Sequence, residues 1–350
     1  MNTLGEAIRV ARRALAMTQV ELAERVGITQ AALSRIERGD RYPASEDIDS
    51  IAAALHVTTE FLTKAALRSP LAAEAHMRRR ATASASQWKT AEAQLNMLRT
   101  QVGALAETVD IEPSLYLPAV DPEDISPESA ADLVRDQWHM PIGPVQHLAR
   151  WMEAAGIVII EKALGTRRID GLSQRIGMVP VVVLNSEAPA DRKRLTMAHE
   201  LGHLVMHGEY ASADAETEAN QFAAELLMPR SAIKPYLRNV TLSRLFDLKR
   251  EWMVSAQALL ERAYALGYLT REQRTKLYKE FSRRGWRIKE PYSADLPEDS
   301  PSFLSHLIKS MSSAGLEDSE IADRALVQGD NPVSLLRFKP DVGIRLVSSR

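Results

Sequence analysis

Apolar residues recur at helical spacing in the first forty residues of the chain. Four of them share one face of a first helix: Leu4, Ile8, Ala11 and Leu15. Thr18, with Glu21 three residues later, is a capping-box sequence that predicts the start of a second short helix, which Gly27 ends. Thr29 begins a third helix that Gly39 closes. Short helices joined by tight turns are therefore expected over residues 1–66.

Residues 70–128 combine a helical segment with a proline-rich segment. Apolar positions spaced alternately by three and four predict a heptad-like helix: Trp88, Ala91, Leu95, Leu98, Val102, Leu105 and Val109. Prolines at 113, 118, 122 and 127 then favour an extended connection. The apolar seam of the helix requires a partner surface, which is either a second copy of the chain, giving a homodimer, or another part of the same chain.

The remainder of the chain first mixes helix with strand and then becomes mainly helical. The β-branched run Val179–Leu184 predicts a strand within residues 129–235. Residues 236–350 contain two amphipathic helical stretches, 241–266 and 271–286, whose role the sequence leaves open. We therefore expect four parts: an α-helical N-terminal domain, a helical and proline-rich linker, a mainly α, α+β domain and a helical C-terminal region.

Composition narrows the chemistry that the chain can perform. The chain has 350 residues, and 44 Lys and Arg nearly balance 46 Asp and Glu. Because the chain has no cysteine, disulfides, thiolate metal sites and a cysteine nucleophile are excluded, so a metal must bind to His, Asp or Glu. No apolar stretch is long enough to span a bilayer. We therefore expect a cytoplasmic protein with no membrane partner.

The spacing of residues 19–39 carries a recognisable pattern: Gln19-x-x-Leu22-Ala23-x-x-Val26-Gly27-Ile28-x-x-x-x-Leu33-Ser34-x-Ile36-Glu37-x-Gly39. This pattern resembles the helix-turn-helix of the phage-repressor and Cro-like (XRE) family. The resemblance implies that the third helix enters the major groove of a double-stranded DNA operator and that the protein binds this operator as a homodimer. When bound to DNA, it is expected to be associated with the nucleoid. The residues expected to contact bases or phosphates are Gln19, Thr29, Gln30, Ala31, Ser34, Arg35, Arg38 and Arg41. The alternative is a packing module that has lost DNA binding.

Residues 199–203 read His-Glu-Leu-Gly-His and contain a zinc-binding spacing. On a helix, His199 and His203 lie on one face, so both imidazoles can reach a single zinc ion (Zn2+). Glu200 is placed to accept a proton from water and pass it to a leaving amine. Thr196 is expected to help start this helix, and Gly202 to let another backbone approach closely.

A catalytic zinc site needs a third protein ligand, and two acids are candidates. Glu216 and Glu218 are two residues apart on a predicted helix, so only one of them can face the metal. Glu216 lies closer to the apolar stripe of that helix and is the preferred ligand, with Glu218 as the alternative. Asn220 is expected to orient a ligating histidine from behind. His207 is interpreted as a similar supporting residue rather than a ligand.

Two longer segments extend this pattern. They are Arg192-x-Arg194-Leu195-Thr196-x-Ala198-His199-Glu200-x-x-His203 and Glu216-x-x-Ala219-Asn220-x-Phe222-Ala223-Ala224-x-Leu226-Leu227-Met228-Pro229. Together they resemble the ImmA/IrrE family of gluzincin-like bacterial metallopeptidases, over residues 130–270. The resemblance implies zinc on His199, His203 and Glu216, with Glu200 as the general base.

The resemblance also implies a repressor-like protein as the substrate of a zinc endopeptidase. Tyr210 and His207 both remain candidates for stabilising the oxyanion. Two other functions stay open. One is a non-proteolytic regulator whose peptidase-like domain senses a ligand or dimerises, and the other is a self-cleaving or antitoxin-like repressor.

Overall fold

The computed structural model describes residues 4–67, 84–108, 112–166, 169–176, 179–208, 210 and 212–328. Three parts of the chain that the predictions cover lie outside these described residues: residues 70–83, Val109 of the heptad-like seam and the chain after residue 328. The chain divides into two compact units. The first is built from described residues within Met1–Pro70, Lys89–Val109 and Leu307–Arg350, and the second from those within Leu71–Trp88 and Asp110–His306.

The first unit begins with five short helices: α1 Leu4–Ala14, α2 Gln19–Val26, α3 Gln30–Arg38, α4 Ser45–Ala54 and α5 Thr59–Leu67. Thr18 and Thr29 accept backbone N–H bonds at the starts of α2 and α3, as the capping sequences predicted. Gly27 ends α2 with a φ of +77°, a left-handed conformation that glycine adopts without steric cost. The predicted helix-turn-helix is therefore confirmed as a local structure.

The long helix α6, Ala85–Ala106, covers the predicted heptad-like stretch. Ala93, Met97 and Ala104 of α6 belong to the apolar core of the first unit. The seam positions are also buried within a single chain, at 2% exposure or less: Ala91, Leu95, Leu98, Val102 and Leu105. These five seam positions are thus buried within one chain, whereas Trp88 is half-buried, and the homodimer through this helix stays a prediction.

The second unit contains three strands and most of the remaining helices. Its elements before the chemistry-bearing helices are α7 Pro127–Gln137, α8 Leu148–Ala154, β1 Val158–Lys162, β2 Gly171–Ile176 and β3 Val179–Asn185. Those that follow are α9 Ala190–Met206, α10 Ala215–Leu227, α11 Arg230–Ile233 with a 3₁₀ turn Lys234–Leu237, α12 Leu242–Trp252, α13 Ala256–Ala265 and α14 Arg271–Arg283. Two helices come later in the chain, α15 Phe303–Ser313 and α16 Asp318–Arg324.

The three strands form one small sheet in the order β1, β3, β2. The predicted strand is β3, and it is central: Val181 pairs with Val158 of parallel β1, and Val183 pairs with Leu172 of antiparallel β2. Because β3 is paired on both sides, the open edge beside α9 belongs to β2. Gly171 at the start of β2 lies against Thr196 of α9, where a Cβ would come within 2.5 Å of the Thr196 Cγ2.

The start of α9 differs from the sequence prediction. The helix begins at Ala190, after Pro189, and has Asp191 in its first turn. Thr196 therefore does not start the helix but lies within it, where it packs against the sheet. Proline suits a helix start because its missing N–H is not needed there, and this signal outweighs that of a mid-helix threonine.

Helices α9 and α10 pack closely because Gly202 has no side chain. A Cβ at Gly202 would lie 3.2 Å from the Cα of Ala219 and 3.0 Å from Cδ1 of Phe222. Buried arginines hold the far end of α10. Arg135 of α7 donates to the carbonyl of Leu226 at 2.5 Å, and Arg262 of α13 donates to the carbonyl of Met228 at 3.0 Å.

Helices α12, α13 and α14 contribute to the core of the second unit, whereas the described residues from Leu307 onward belong to the first unit. The apolar residues of these three helices share one core with α9 and α10, including Leu245, Trp252, Leu259 and Phe281. Asp299 accepts from the first two backbone N–H groups of α8 and from Arg194 of α9. The predicted fold class is confirmed: helical N-terminal and C-terminal parts around a mainly α, α+β region. In the described part of the chain, no helix is long and apolar enough to cross a membrane.

Candidate functional site

Helices α9 and α10 bring two imidazoles and one carboxylate together. His199 and His203 lie one turn apart on α9, and Glu216 lies in the first turn of α10. One ligand atom from each of these three residues lies within 4.8 Å of the others. Among the described residues, this is the group of His, Asp or Glu side chains that is arranged to hold a metal ion.

The separations between the ligand atoms match a tetrahedral metal site. The two Nε2 atoms are 3.1 Å apart, and the Glu216 oxygens lie 3.6 Å from the Nε2 of His199 and 3.4 Å from that of His203. Three ligands at zinc bond lengths of about 2.0–2.1 Å in a tetrahedron are about 3.3–3.4 Å apart. Two His and one Glu are also a donor set found in catalytic zinc sites. The residues therefore fit Zn2+.

The other ring nitrogen of His199 is held by α10. The Nδ1 of His199 lies 3.1 Å from the Oδ1 of Asn220. The Nδ2 of Asn220 donates to the carbonyl of Glu216 at 2.7 Å, which fixes the orientation of the amide. The oxygen of Asn220 thus accepts the Nδ1 proton of His199. The Nε2 lone pair of His199 then points toward His203 and Glu216, and these three residues form the candidate metal site.

His207 and Glu218 lie behind the second histidine. The Nδ1 of His203 is 3.0 Å from the Nδ1 of His207, and the Nε2 of His207 is 2.8 Å from the Oε2 of Glu218. His207 is the C-cap residue that follows α9, and it is only 1% exposed. Burial lowers the pKa of His207, against the opposing effect of the Glu218 carboxylate. The two acids therefore have different partners: Glu216 contacts the Nε2 atoms of His199 and His203, and Glu218 contacts His207.

Glu200 lies beside the cluster and is largely withdrawn from solvent. Its residue is 7% exposed, and it lines the same cleft as His199, His203 and Glu216. The cleft has a volume of about 870 Å³. Gly171, Leu172 and Ser173 line the cleft, and they belong to β2, which is an edge strand of the sheet among the described residues. Tyr210 is 36% exposed and is not among the described residues that line the cleft.

Another part of the cleft lining comes from α13, α14 and the residues that follow them, which the sequence motifs did not assign to the site. It includes Glu261 and Tyr264 of α13, Tyr278 of α14 and Arg287. The guanidinium of Arg287 stacks on the ring of Tyr278, at 4.6 Å from the ring centroid. Burial and the bond to Glu261 raise the pKa of Tyr278. These residues lie 40 or more positions after Glu216, and no motif connected them to it.

A buried ion cluster attaches this part of the lining to the start of α9. The Nζ of Lys249 lies 2.5 Å from Asp191 and 2.7 Å from Glu290, and it also bonds to the hydroxyl of Ser293. The Lys249 side chain has no exposed surface. Glu290 further accepts from the backbone N–H of Ala256 at the start of α13. These bonds link α9, α12 and α13, and α9 and α13 carry residues that line the cleft.

The DNA-reading candidates lie on the exposed side of α3. Thr29, Gln30, Ala31, Arg35 and Arg38 are exposed, and Ser34 is half-buried. The guanidinium of Arg35 forms no ion pair with any described residue. Arg38 pairs with Asp40 at 2.9 Å, but both side chains are more than half exposed, so the pair is weak and Arg38 stays accessible.

Gln30 is connected to the core of the first unit through a line of polar side chains. Gln30 donates to Gln19 at 2.8 Å, and Gln19 donates to Glu37 at 2.8 Å. Glu37 is buried and receives two bonds from Arg12, at 2.6 and 2.8 Å. Gln19 therefore supports the position of Gln30 in addition to its predicted place beside a phosphate. The helix-turn-helix motif did not predict Arg12 as a partner of Glu37, because Arg12 lies 25 positions earlier in the chain.

Fold and site together define a helix-turn-helix protein with a metallopeptidase-like domain. Residues 8–62 match the family model described as Helix-turn-helix, and residues 152–264 match the one described as IrrE N-terminal-like domain, of the M78 peptidases. The predicted resemblances to an XRE-type helix-turn-helix and to an ImmA/IrrE-type domain are thus each matched by a family model over part of the chain. No curated protein and no solved structure matches the chain.

Proposed function

We propose that the protein is a DNA-binding transcriptional regulator that is also a zinc endopeptidase for a repressor-type protein. The observation that carries the proposal is the convergence of His199, His203 and Glu216 at metal-ligand separations, with Glu200 in the same cleft. The family match to an IrrE N-terminal-like domain agrees with this reading.

The residues of the cleft divide the work of peptide hydrolysis. His199, His203 and Glu216 would hold Zn2+, which when bound supplies a Lewis acid that polarises the scissile carbonyl and makes water more acidic. Glu200 would accept the proton of the attacking water and deliver it to the amine nitrogen that leaves. The open edge of β2 would pair with the backbone of an extended peptide and align it along the cleft.

The first unit would supply DNA recognition. Gln30 and Arg35 lie on the exposed face of α3 and suit adenine and guanine edges respectively, because each can form two parallel hydrogen bonds to that base. Gln19, Arg38 and Arg41 would contact phosphates. DNA binding would place the peptidase near repressors on the same operators.

The proposal is tested first by metal content. We expect wild-type protein to retain about one equivalent of zinc after dialysis, and His199→Ala to lose it, because one of three ligands is gone. Glu200→Gln should retain the zinc, since Glu200 is not a ligand. A zinc-free wild type would exclude the peptidase.

Cleavage is tested next, with the chain itself and with helix-turn-helix repressors encoded by neighbouring genes as substrates. Discrete fragments are expected with the wild type, and their formation should be about 10²–10⁴-fold slower with Glu200→Gln because the general base is lost. Glu251→Gln on the exposed surface of α12 is the matched charge control and should cleave at the wild-type rate. Fragments of the chain itself would identify a self-cleaving repressor.

The cleft also supports a second candidate, a regulator that senses a small molecule without proteolysis. A volume of about 870 Å³ lies within the range of about 300–1,000 Å³ that small-molecule sites occupy. Zinc binding without fragments from any substrate would favour this function. Glu200→Gln would then leave DNA binding and its response to ligand unchanged.

A further inference from the structure

We propose that Glu218 is a positioning residue of the metal centre and that it acts through His207 on His203. This inference rests on the proposed zinc-binding function. It concerns Glu218, which is not part of the candidate metal site. The contacts run in one line: Glu218 Oε2 to His207 Nε2 at 2.8 Å, then His207 Nδ1 to His203 Nδ1 at 3.0 Å. The line ends at the His203 Nε2, which faces Glu216 and His199.

Proton placement along this line has one consistent solution. His203 can offer its Nε2 lone pair to a metal only when its ring proton is on Nδ1. That proton is then directed at the Nδ1 of His207, which lies 3.0 Å away. His207 can accept there only if its own proton is on Nε2, where the Glu218 carboxylate accepts it. Glu218 therefore selects the tautomer of His207, which selects the tautomer of His203.

Removal of Glu218 would leave this choice open. With its proton on Nδ1, His207 would present an N–H to the N–H of His203, and the two donors would repel each other. His203 would then rotate or carry its proton on Nε2, and both changes remove a metal ligand. The side chain of His207 has no exposed surface, so solvent cannot readily replace the lost acceptor.

The packing of the two helices explains why Glu218 can reach His207. Gly202 allows α10 to approach α9 so closely that the Cα of Ala219 lies 3.2 Å from where a Cβ would be. Residues two apart on a helix point to nearly opposite sides. On either side of this contact, Glu216 extends to the ligand nitrogens and Glu218 to the end of α9. The two histidines also differ in their supports, because Asn220 contacts His199 directly, whereas Glu218 reaches His203 through His207.

The proposal is tested by zinc affinity, measured on the full chain by competition with a chromophoric chelator. We expect Glu218→Leu and His207→Leu each to weaken zinc binding by about 10- to 100-fold, the usual effect of losing such a supporting contact. Glu218→Gln should lose less, because its amide oxygen can accept from His207 but its amide nitrogen can face His207 instead. Glu251→Leu on α12 is the control and should bind zinc as the wild type does.

A double variant distinguishes the relay from a general structural role. In the background of His207→Leu, Glu218→Leu should change zinc affinity by less than twofold, because its effect travels through His207. An additional tenfold loss in that background would overturn the relay. So would zinc affinities within twofold of the wild type in the single variants.

Ring tautomers provide a readout that does not depend on metal binding. A long-range ¹H–¹⁵N spectrum of the metal-free chain should show His207 with its proton on Nε2, assigned by the loss of its signals in His207→Leu. Glu218→Gln should shift that population toward Nδ1. A wild-type His207 protonated on Nδ1 would overturn the proposal. If the wild type binds no zinc, the proposed peptidase function fails, and this spectrum alone decides whether Glu218 sets the tautomer.

Discussion

The two units of this protein present their functional side chains in opposite ways. In the first unit, the candidate DNA-reading residues lie on the exposed face of one helix, α3, of nine residues. In the second unit, the candidate metal ligands come from α9 and α10, and two further residues hold the outer ring nitrogens of the ligating histidines. The candidate DNA-binding surface needs one well-formed helix, whereas the candidate metal site needs two helices to pack correctly against each other.

The support behind each site differs in the same way. Behind Gln30 lies a polar line that ends at the buried pair of Arg12 and Glu37, within one small helical unit. The helices of the candidate metal site are supported by buried charges from segments far apart in the sequence, such as Lys249, Asp191 and Glu290. Changes in the second unit should therefore affect its site through folding more strongly than changes in the first.

The largest effect on stability is expected from Lys249→Met, in the second unit. The substitution leaves two carboxylates buried without their cation, which typically costs about 3–5 kcal/mol of the free energy of unfolding. Denaturant unfolding followed by tryptophan fluorescence measures this loss, because residues 1–67 contain no tryptophan.

The neighbouring residue offers a matched control for Lys249. Arg250 pairs with Asp247 at 2.7 Å, but both side chains are about half exposed. Arg250→Met should therefore change the free energy of unfolding by less than about 1 kcal/mol. If the two variants were equally stable, the buried cluster would not hold the second unit together, and the contrast between the units would fail.

A smaller and more selective effect is expected in the first unit from Gln30→Ala and Arg35→Ala. Each should weaken binding to an operator selected from random duplexes by about 1–3 kcal/mol and relax the base preference at one position. Fluorescence anisotropy measures this change. Neither variant should alter zinc content or thermal unfolding, because both side chains are exposed.

A Gln30→Ala protein with unchanged base preference would exclude α3 as the reading helix. Glu24→Ala is a suitable control on α2, since Glu24 is exposed and is not a predicted DNA contact. It should retain the selected base preference.

The smallest effect is expected from Thr18→Ala, which removes the side-chain cap of α2. Loss of such a cap typically costs about 1 kcal/mol. Hydrogen exchange in the peptide that covers α2 should become faster, while peptides from α9 and α10 keep their rates. Unchanged protection of α2 would show that packing alone holds this helix.

The same cap gives a pH dependence with a definite sign. The hydrogen bond from the backbone N–H of Thr18 lowers the pKa of Glu21 below its ordinary 4.5. This stabilising contribution is fully present above pH 4.5 and is lost as the pH falls through the lowered pKa. Protection of α2, corrected for the intrinsic exchange rate, should therefore decrease below pH 4.5 in the wild type.

The amino-acid sequence determined the local features of both units. The caps at Thr18 and Thr29, the end of α2 at Gly27 and the helical spacing of His199 and His203 depend on residues at most four positions apart. Backbone geometry fixes the relations among such neighbours, so periodicity and capping rules can predict them. Even so, the start of α9 at Ala190 rather than near Thr196 shows that a second local signal can outweigh the first.

Only the tertiary structure decided which distant groups meet. It placed Glu216 at the two imidazoles and Glu218 at His207, paired β3 on both sides so that β2 became the open edge, and brought α13 and α14 to the wall of the cleft. Helical spacing shows that Glu216 and Glu218 point apart, but the direction in which each points depends on how α10 packs on α9. That packing is set by apolar contacts and buried ion pairs between segments far apart in the chain, which no local pattern encodes.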